Sequence, residues 1–416
     1  MKCLYITYDG LTDNLGASQI LPYIYGLAAA GHRITVLSCE KRENFSKRGA
    51  AVNAELASKG IAWQRLWYHK RPPVLSTVWD IWRMAFCAWR AGSFEAVHVR
   101  SYVPAVVGLA LKRISRTKLI FDMRGFWADE RVDGGLWNMR KPAYRFIFRL
   151  FKRLERNLLL RADAVVCLTE AAREEMLSWR GIRESRLEER LWVIPCCVEI
   201  GLFAKTENSS GAPQVKVALK DSGLVCGYLG SVGTWYCIEE MMSLFQKIQA
   251  RTPTAKFLLI TPDAPKLILA AAAKCEVAAS AIVVVAADRR EVPGLLSMVD
   301  VGIFFIRPCY SKISSSATKL GEFMAAGVPV IANHGIGDQS RIFADHDLGH
   351  LVKDFSASEL QRAAERIPDL LAIDGAAIRA VAEKEFSLGR ALAGYAEIYD
   401  FLSPGKGQKG ESRWPR

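Results

Sequence analysis

The feature that most limits the fold of this chain is an alternation that runs twice. Short apolar runs at 3–7 (CLYIT), 33–38 (RITVLS), 96–99 (AVHV), 118–121 (KLIF) and 164–167 (AVVC) are separated by longer stretches with helical patterning. Runs this short and this apolar predict strands buried on both faces, and helices between them predict parallel βα units. A last run at 192–195 (WVIP) closes the series. The pattern then restarts at 224–229, 257–260, 282–285, 301–306 and 329–332. Between the two series, 206–214 (TENSSGAPQ) is polar and rich in Ser, Gly and Pro, as linkers are. With 416 residues to divide, the expectation is an N-terminal α/β domain over 1–204, a linker over 205–215 and a second α/β domain over 216–385. A helix over 386–403 could pack back on the first domain, and 404–416 reads as a disordered basic tail. No repeat at solenoid period is visible.

Charge narrows the partners without naming one. The formal net charge is +13 with a pI near 9.3, which calls for nucleic acid, an anionic membrane surface or a phosphorylated substrate. The ten cysteines are scattered, without a C-x-x-C pair, and read as small buried thiols rather than a metal centre. No stretch reads as a signal peptide, and the longest apolar runs are too short to span a bilayer. The expected location is the cytoplasm, with a peripheral position on the inner face of the membrane as an option.

Two glycine loops open onto helices. The first strand runs into Tyr8-Asp9-Gly10 and then Asn14-Leu15-Gly16, where backbone amides around Gly16 could approach a polar or anionic ligand. A tight turn explains the same residues. The G-x-G-x-x-G dinucleotide fingerprint is missing, which disfavours an NAD-dependent oxidoreductase. The segment 315–332 (SSATKLGEFMAAGVPVIA) says more. A small-residue turn over 314–318 could cap a helix over 319–326 that stops at Gly327 before a buried strand. Its first turn offers amides, the Thr318 hydroxyl and the Lys319 ammonium to a diphosphate, with Leu320 beside them. Glu322, one turn on, could accept hydroxyls of a ribose or a sugar. The plain alternative is an exposed Lys-Glu pair.

This segment resembles the nucleotide-sugar signature of retaining glycosyltransferases of the GT-B fold, in sequence family 4. The resemblance extends to 228–236 (YLGSVGTWY), similar to the glycine loop that opens their C-terminal domain, and to 288–300 (DRREVPGLLSMVD), similar to their base-contacting segment. The stretch VIPCCV at 193–198, followed by Phe203, looks like the end of their N-terminal domain. It implies two Rossmann-like domains facing across a cleft, a nucleotide-sugar donor held mainly by the second, and no cofactor and no metal. Donor contacts would then fall on Gly230, Ser231, Arg289, Ser314, Thr318, Lys319, Leu320 and Glu322, besides Gly16. Glu322 takes the second place of the family's Glu-x7-Glu pair, whereas Ser314 stands in the first. The basic residues that usually follow the glycine loop are absent, since Ser231 stands at the arginine position. Lys319 is the first substitute, with Arg307 and Lys312 behind it.

In the first domain, 121–130 (FDMRGFWADE) follows a strand. Arg124 stands near where the family often has a histidine, and could stabilise a departing diphosphate; Asp122 or Glu130 could position an acceptor hydroxyl. An Asp122–Arg124 pair that only holds the loop is equally open. His98 could line the cleft or sit in the core. The resemblance implies front-face transfer with retention, to a glycan or lipid-linked acceptor of surface polysaccharide synthesis. A GT-B nucleotide-sugar epimerase is the alternative enzyme. A nucleic-acid-binding protein would explain the charge, but no recognition motif accompanies it, so nucleic acid is not expected as a partner.

Residues 140–161 hold eight basic side chains and one acidic one, Glu155. The spacing predicts a basic amphipathic helix whose Arg145, Arg149, Lys152, Arg153 and Arg156 could face an anionic membrane, or could face water while the other side packs on the sheet. The aromatic stretch 79–89 (WDIWRMAFCAW) could add membrane contact, although core packing is the safer expectation.

Overall fold

The computed structural model describes residues 1–72, 74–203 and 213–403. The first sheet holds β1 (Lys2–Thr7), β2 (Arg33–Glu40), β3 (Ala62–Trp67), β4 (Ala96–Arg100), β5 (Lys118–Asp122), β6 (Ala164–Cys167) and β7 (Leu191–Val193). The second holds β8 (Val225–Leu229), β9 (Lys256–Ile260), β10 (Ile282–Val285), β11 (Val301–Ile303), β12 (Val330–Asn333) and β13 (Gly349–Val352). Their orders are β3-β2-β1-β4-β5-β6-β7 and β10-β9-β8-β11-β12-β13. Every pairing is parallel, as with Cys3 against Ala96 and Cys226 against Val301. In each sheet the order reverses beside its first strand, between β1 and β4 and between β8 and β11. Beyond the carboxyl ends of those strands an α/β sheet opens a crevice for ligands. The two α/β domains expected from the alternation are therefore present.

Burial explains the strand pattern. Leu4, Ile6, Val97, Val99, Leu119 and Phe121 point to one face of the first sheet, and Tyr5, Val36, Ile120 and Val166 to the other. Helices cover both faces, so neither face is left polar. The helix Leu388–Leu402 lies on the first domain, where Tyr395, Ile398, Tyr399 and Leu402 join the cluster of Leu21, Ile24 and Ile120. The chain crosses back at Val198, whose amide donates to Phe386 (2.8 Å) and whose carbonyl accepts from Leu388 (3.0 Å).

Some elements differ from the sequence reading. Where the loop after the first strand was expected to open onto one helix there are two, Asn14–Gln19 and Leu21–Ala29, broken at Ile20 with Pro22 in the first turn of the second. Proline has no amide to continue the preceding ladder. The strand expected over 301–306 stops at Ile303; beyond it the Phe305 carbonyl accepts from the Cys237 amide (3.0 Å) and the Ile306 amide donates to Asn333 Oδ1 (2.8 Å) instead of continuing the ladder. Most of the expected linker and the tail over 404–416 lie outside the described residues; residues 213–215 belong to the helix Pro213–Leu219.

Candidate functional site

The helix Thr318–Ala325 points its N-terminus at the mouth of the second sheet. Its body is buried through Leu320, Phe323 and Met324, and burying one Phe of this kind contributes about 2–3 kcal/mol. Gly327, at φ 73°, stops it and turns the chain into β12. No side chain caps the first turn: Ala317 holds the N-cap position. The cap expected from the Ser-rich turn is therefore absent: Ser314 Oγ accepts from the Phe126 amide and Ser316 Oγ from the Cys196 amide. The Leu320 amide donates to the Ala317 carbonyl (3.0 Å), and the Leu320 side chain lies in the core, so no donor contact of that side chain is available.

Lys319 is buried beneath the glycine loop. Its Nζ donates to the Tyr228 hydroxyl (3.0 Å) and lies 3.5 Å from the Tyr236 ring centroid and 4.3 Å from that of Tyr228. Burial pushes its pKa well below the usual lysine range, with Glu322 acting against that. The ring faces also favour the cation. Gly230, at φ 109°, covers the ammonium; a Cβ there would stand 3.3 Å from Nζ. Glu322 is nearly buried, and its Oε1 accepts from Arg289 Nη1 (2.9 Å). Burial raises its pKa while Arg289 lowers it. Lys319, Gly230, Arg289, Thr318 and Glu322 thus come together. Ser231 turns away: its hydroxyl donates to Asp263 (2.7 Å). Tyr228 and Tyr236 were missed, although alternation along β8 put Tyr228 on the same side as the glycine that follows the strand.

At the mouth of the first sheet the equivalent loop is already filled. The Glu40 carboxylate, fully buried at the end of β2, accepts from the Leu11 amide (2.7 Å), the Thr12 amide (3.2 Å), the Thr12 hydroxyl (2.5 Å) and Ser38 Oγ (2.6 Å). The anion at these amides is the chain's own. Gly16 is in a helix, with the Gly10 carbonyl 2.2 Å from where its Cβ would be. Its smallness serves close packing of the loop.

The N-terminal polar residues divide. His98 is buried; its Nδ1 meets the Tyr399 hydroxyl (3.2 Å), and burial lowers its pKa to about 4. It belongs to the core, not the cleft. Asp122, fully buried, accepts from the Tyr395 hydroxyl (3.1 Å) and is flanked by Arg100 (3.7 Å) and Arg124 (3.6 Å). It cannot meet an acceptor hydroxyl without displacing these. Arg124 sits at φ 59° and reaches Cys196 Sγ (3.2 Å). Burial opposes its charge, but Asp122 and its neighbours hold it fully protonated. Asp122 and Arg124 thus lie within ion-pair distance, as in the pairing weighed from sequence.

Several contacts close the cleft. Ser314 Oγ accepts from the Phe126 amide (2.8 Å) and donates to the Ser311 carbonyl (2.8 Å). Lys312 Nζ bonds Glu130 (2.7 Å) and stacks 3.7 Å over Trp235; Arg307 donates to the Asp133 carbonyl. Ser314 and Glu130, expected at the donor and the acceptor, join the domains instead, as do both reserve cations. A cavity of about 2010 Å³ lies on another flank of the domain boundary; of the candidate residues only Leu320 lines it.

Residues 17–189 match the model of the glycosyl transferase 4-like domain. The whole chain superposes on a glycosyltransferase of Rickettsia africae with a TM-score of 0.70, 16% identity and coverage of 97% of this chain and 99% of that one. Anabaena HepE in complex with UDP-glucose gives 0.69, 15%, 96% and 99%. The N-terminal match and the superpositions together give the GT-B fold. A Bacillus subtilis (strain 168) protein named for a glycosyltransferase of teichuronic acid biosynthesis, TuaH, is 23% identical over 220 residues, 52% of this chain and half the length of that relative.

Within the matched residues 17–189, the helix Pro142–Arg161 exposes Arg145, Arg149, Arg153 and Arg156. Lys152 turns inward to Asp129 (2.8 Å) and Glu155, under the Trp179 ring (4.6 Å), which removes it from the expected basic face. The helix Leu75–Arg90 buries Ser76, Asp80, Met84 and Ala88 and exposes its aromatic residues, reversing the expectation that they pack in the core. Among the described residues no helix is long and apolar enough to cross a membrane, and no group of three or more His, Cys, Asp or Glu side chains is arranged to hold a metal ion.

Proposed function

We propose that the protein transfers a sugar, with retention, from a nucleoside-diphosphate donor to a glycan or lipid-linked acceptor in polysaccharide synthesis, in the cytoplasm and at the periphery of the membrane. The observation that carries this is the meeting of Lys319, Gly230 and the helix N-terminus at Thr318 with the Arg289–Glu322 pair at the mouth of the second sheet. The helix terminus and the Lys319 ammonium receive the diphosphate. Glu322 Oε1 is taken by Arg289, so its other oxygen accepts a ribose hydroxyl. HepE, of the same fold, is a protein crystallised with UDP-glucose, and the B. subtilis relative carries a polysaccharide name.

In the proposed reaction no metal takes part. The diphosphate leaves with its charge met by fixed amides, Lys319 and Arg124, and the acceptor hydroxyl attacks from the same face, losing its proton to the departing phosphate oxygen. The protein contributes orientation and charge stabilisation. Exposed Arg145, Arg149, Arg153 and Arg156 favour an anionic membrane as the place of the acceptor.

The test combines purified protein, one sugar nucleotide at a time and lipid-linked or oligosaccharide acceptors, with products resolved by mass spectrometry and anomeric configuration by NMR. Transfer with retention, lost about a thousandfold in Glu322→Ala, is the expected result. Normal turnover in that variant would remove Glu322 from the donor site. Conversion of the sugar nucleotide without acceptor would favour the epimerase.

A further inference from the structure

Three helices lie side by side on one face of the first sheet: Leu75–Arg90, Tyr102–Ser115 and Pro142–Arg161. Their inward residues, among them Met84, Ala88, Val107, Leu158 and Leu159, share one core cluster. Their outward side is unlike the rest of the surface. On the first helix Trp79 (52%), Trp82 (56%), Phe86 (43%) and Trp89 (70%) stand exposed in a ladder, with ring centroids 5.2, 5.8 and 6.2 Å apart. Leu75 and Val78 extend the ladder at one end. Ile114 on the second helix, and Phe146 and Leu150 on the third, are exposed as well.

The periodicity is inverted relative to an ordinary surface helix. Ser76, Asp80, Met84 and Ala88, at four-residue spacing, face inward. Asp80 is held there by the Tyr8 hydroxyl (2.9 Å) and by the His69 amide (3.1 Å) and ring (2.6 Å). The register is thus pinned by a buried polar knot, and the aromatic side cannot rotate into the core. Four large aromatics left in water forgo the burial that normally stabilises such residues, and exposed patches of this kind mark interaction surfaces.

Charge selects the partner. The three helices carry only two acidic residues, Asp80 and Glu155, and both are buried. Arg90, Arg113, Arg145, Arg149, Arg153 and Arg156 are exposed on the same three helices. An apolar aromatic stripe accompanied by arginines, without exposed carboxylates on these helices, complements a bilayer interface with anionic headgroups: indole rings settle at headgroup level, and arginines hold the phosphates.

We infer that the helix Leu75–Arg90 inserts its aromatic ladder into the interfacial layer of an anionic membrane, while the arginines of Pro142–Arg161 rest on the headgroups. This deepens the membrane part of the proposed function, because it assigns the insertion to a helix outside the basic one. It needs no transfer activity to be true.

The test is sedimentation of the full chain with vesicles of phosphatidylcholine containing 30% phosphatidylglycerol, and with phosphatidylcholine alone, at low and high salt. Trp79→Ser/Trp82→Ser/Phe86→Ser/Trp89→Ser, checked for an unchanged circular dichroism spectrum, should bind at least tenfold more weakly. Brominated lipids should quench the wild-type tryptophan emission and leave that of the variant unaffected. Arg149→Glu/Arg153→Glu should lose the salt-sensitive part of the binding. Wild-type sedimentation by the aromatic variant, with loss confined to the arginine variant, would overturn the insertion while preserving a purely electrostatic membrane contact. A dimer in sedimentation velocity that the aromatic changes dissolve, together with no vesicle binding, would also overturn it and give the face to a second copy of the chain.

Discussion

The mouths of the two sheets occupy equivalent places in equivalent topologies, yet one is filled from within and the other is not. After β1, the backbone amides of Leu11 and Thr12 already hold an anion, the Glu40 carboxylate. After β8, Gly230 covers an ammonium, Lys319, whose nearest partners are a tyrosine hydroxyl and ring faces rather than a carboxylate. Topology provides a crevice in both. Side-chain chemistry decides which one is left for a charged ligand, and the sign of what each displays follows: the first is internally neutralised, the second has unspent positive charge beside helix amides.

The sharpest way to break this contrast is Lys319→Ala. Loss of a charge-assisted contact of about 2–3 kcal/mol should weaken nucleoside-diphosphate binding about a hundredfold in calorimetry. Unchanged affinity would move the phosphate grip off this residue. The matching change in the first domain is Glu40→Gln. It should leave nucleotide affinity alone and cost about 2 kcal/mol of N-terminal stability in urea, since a buried acceptor of four bonds is altered. A nucleotide response to this change would erase the distinction between the mouths.

A pH series sharpens it further. Burial lowers the Lys319 pKa, and a diphosphate favours the protonated form. Above the lowered pKa, binding must therefore take up a proton, and affinity should fall as pH rises, by up to about tenfold per pH unit. Below it the lysine is already charged and the slope vanishes. The same series on Lys319→Ala should be flat over the range where the wild type slopes. The smallest effect is expected from Arg124→Ala, whose guanidinium is shared with Asp122 and Cys196. Turnover should drop by about tenfold with little change in KM, and unaltered kinetics would leave Arg124 as a loop clamp.

What was readable from sequence follows burial. Strands enclosed on both faces, such as AVVC at 164–167, have the bounds expected of them. The two strands not foreseen, β3 (AWQRLW) and β13 (GHLV), each form one edge of their sheet, whereas the opposite edges, β7 and β10, were legible from the unbroken apolar runs WVIP and IVVV. An edge strand is covered less completely, so polar residues can interrupt its apolar run. In the site, Lys319, Gly230, Arg289 and Glu322 were found because they are close in sequence to helix and strand ends. The Glu40 plug was not, since nothing local announces a carboxylate that folds back on a loop 28 residues earlier. Ser314 was misread for a similar reason: its partner, Phe126, lies in the other domain. For the aromatic helix, the four-residue spacing of Ser76, Asp80, Met84 and Ala88 was the available signal, overridden by the expectation that tryptophans are buried.

The most direct test is a thermal-shift titration of UDP-, GDP-, ADP- and CMP-sugars against the wild type and Lys319→Ala. The prediction is that one nucleotide class stabilises the wild type, by about 2.7 kcal/mol when present at a hundred times its Kd, and that the shift is lost in the variant at the same concentration. No stabilisation by any class in a folded sample, or an equal shift in both proteins, would contradict a donor site built on Lys319 at the mouth of the second sheet.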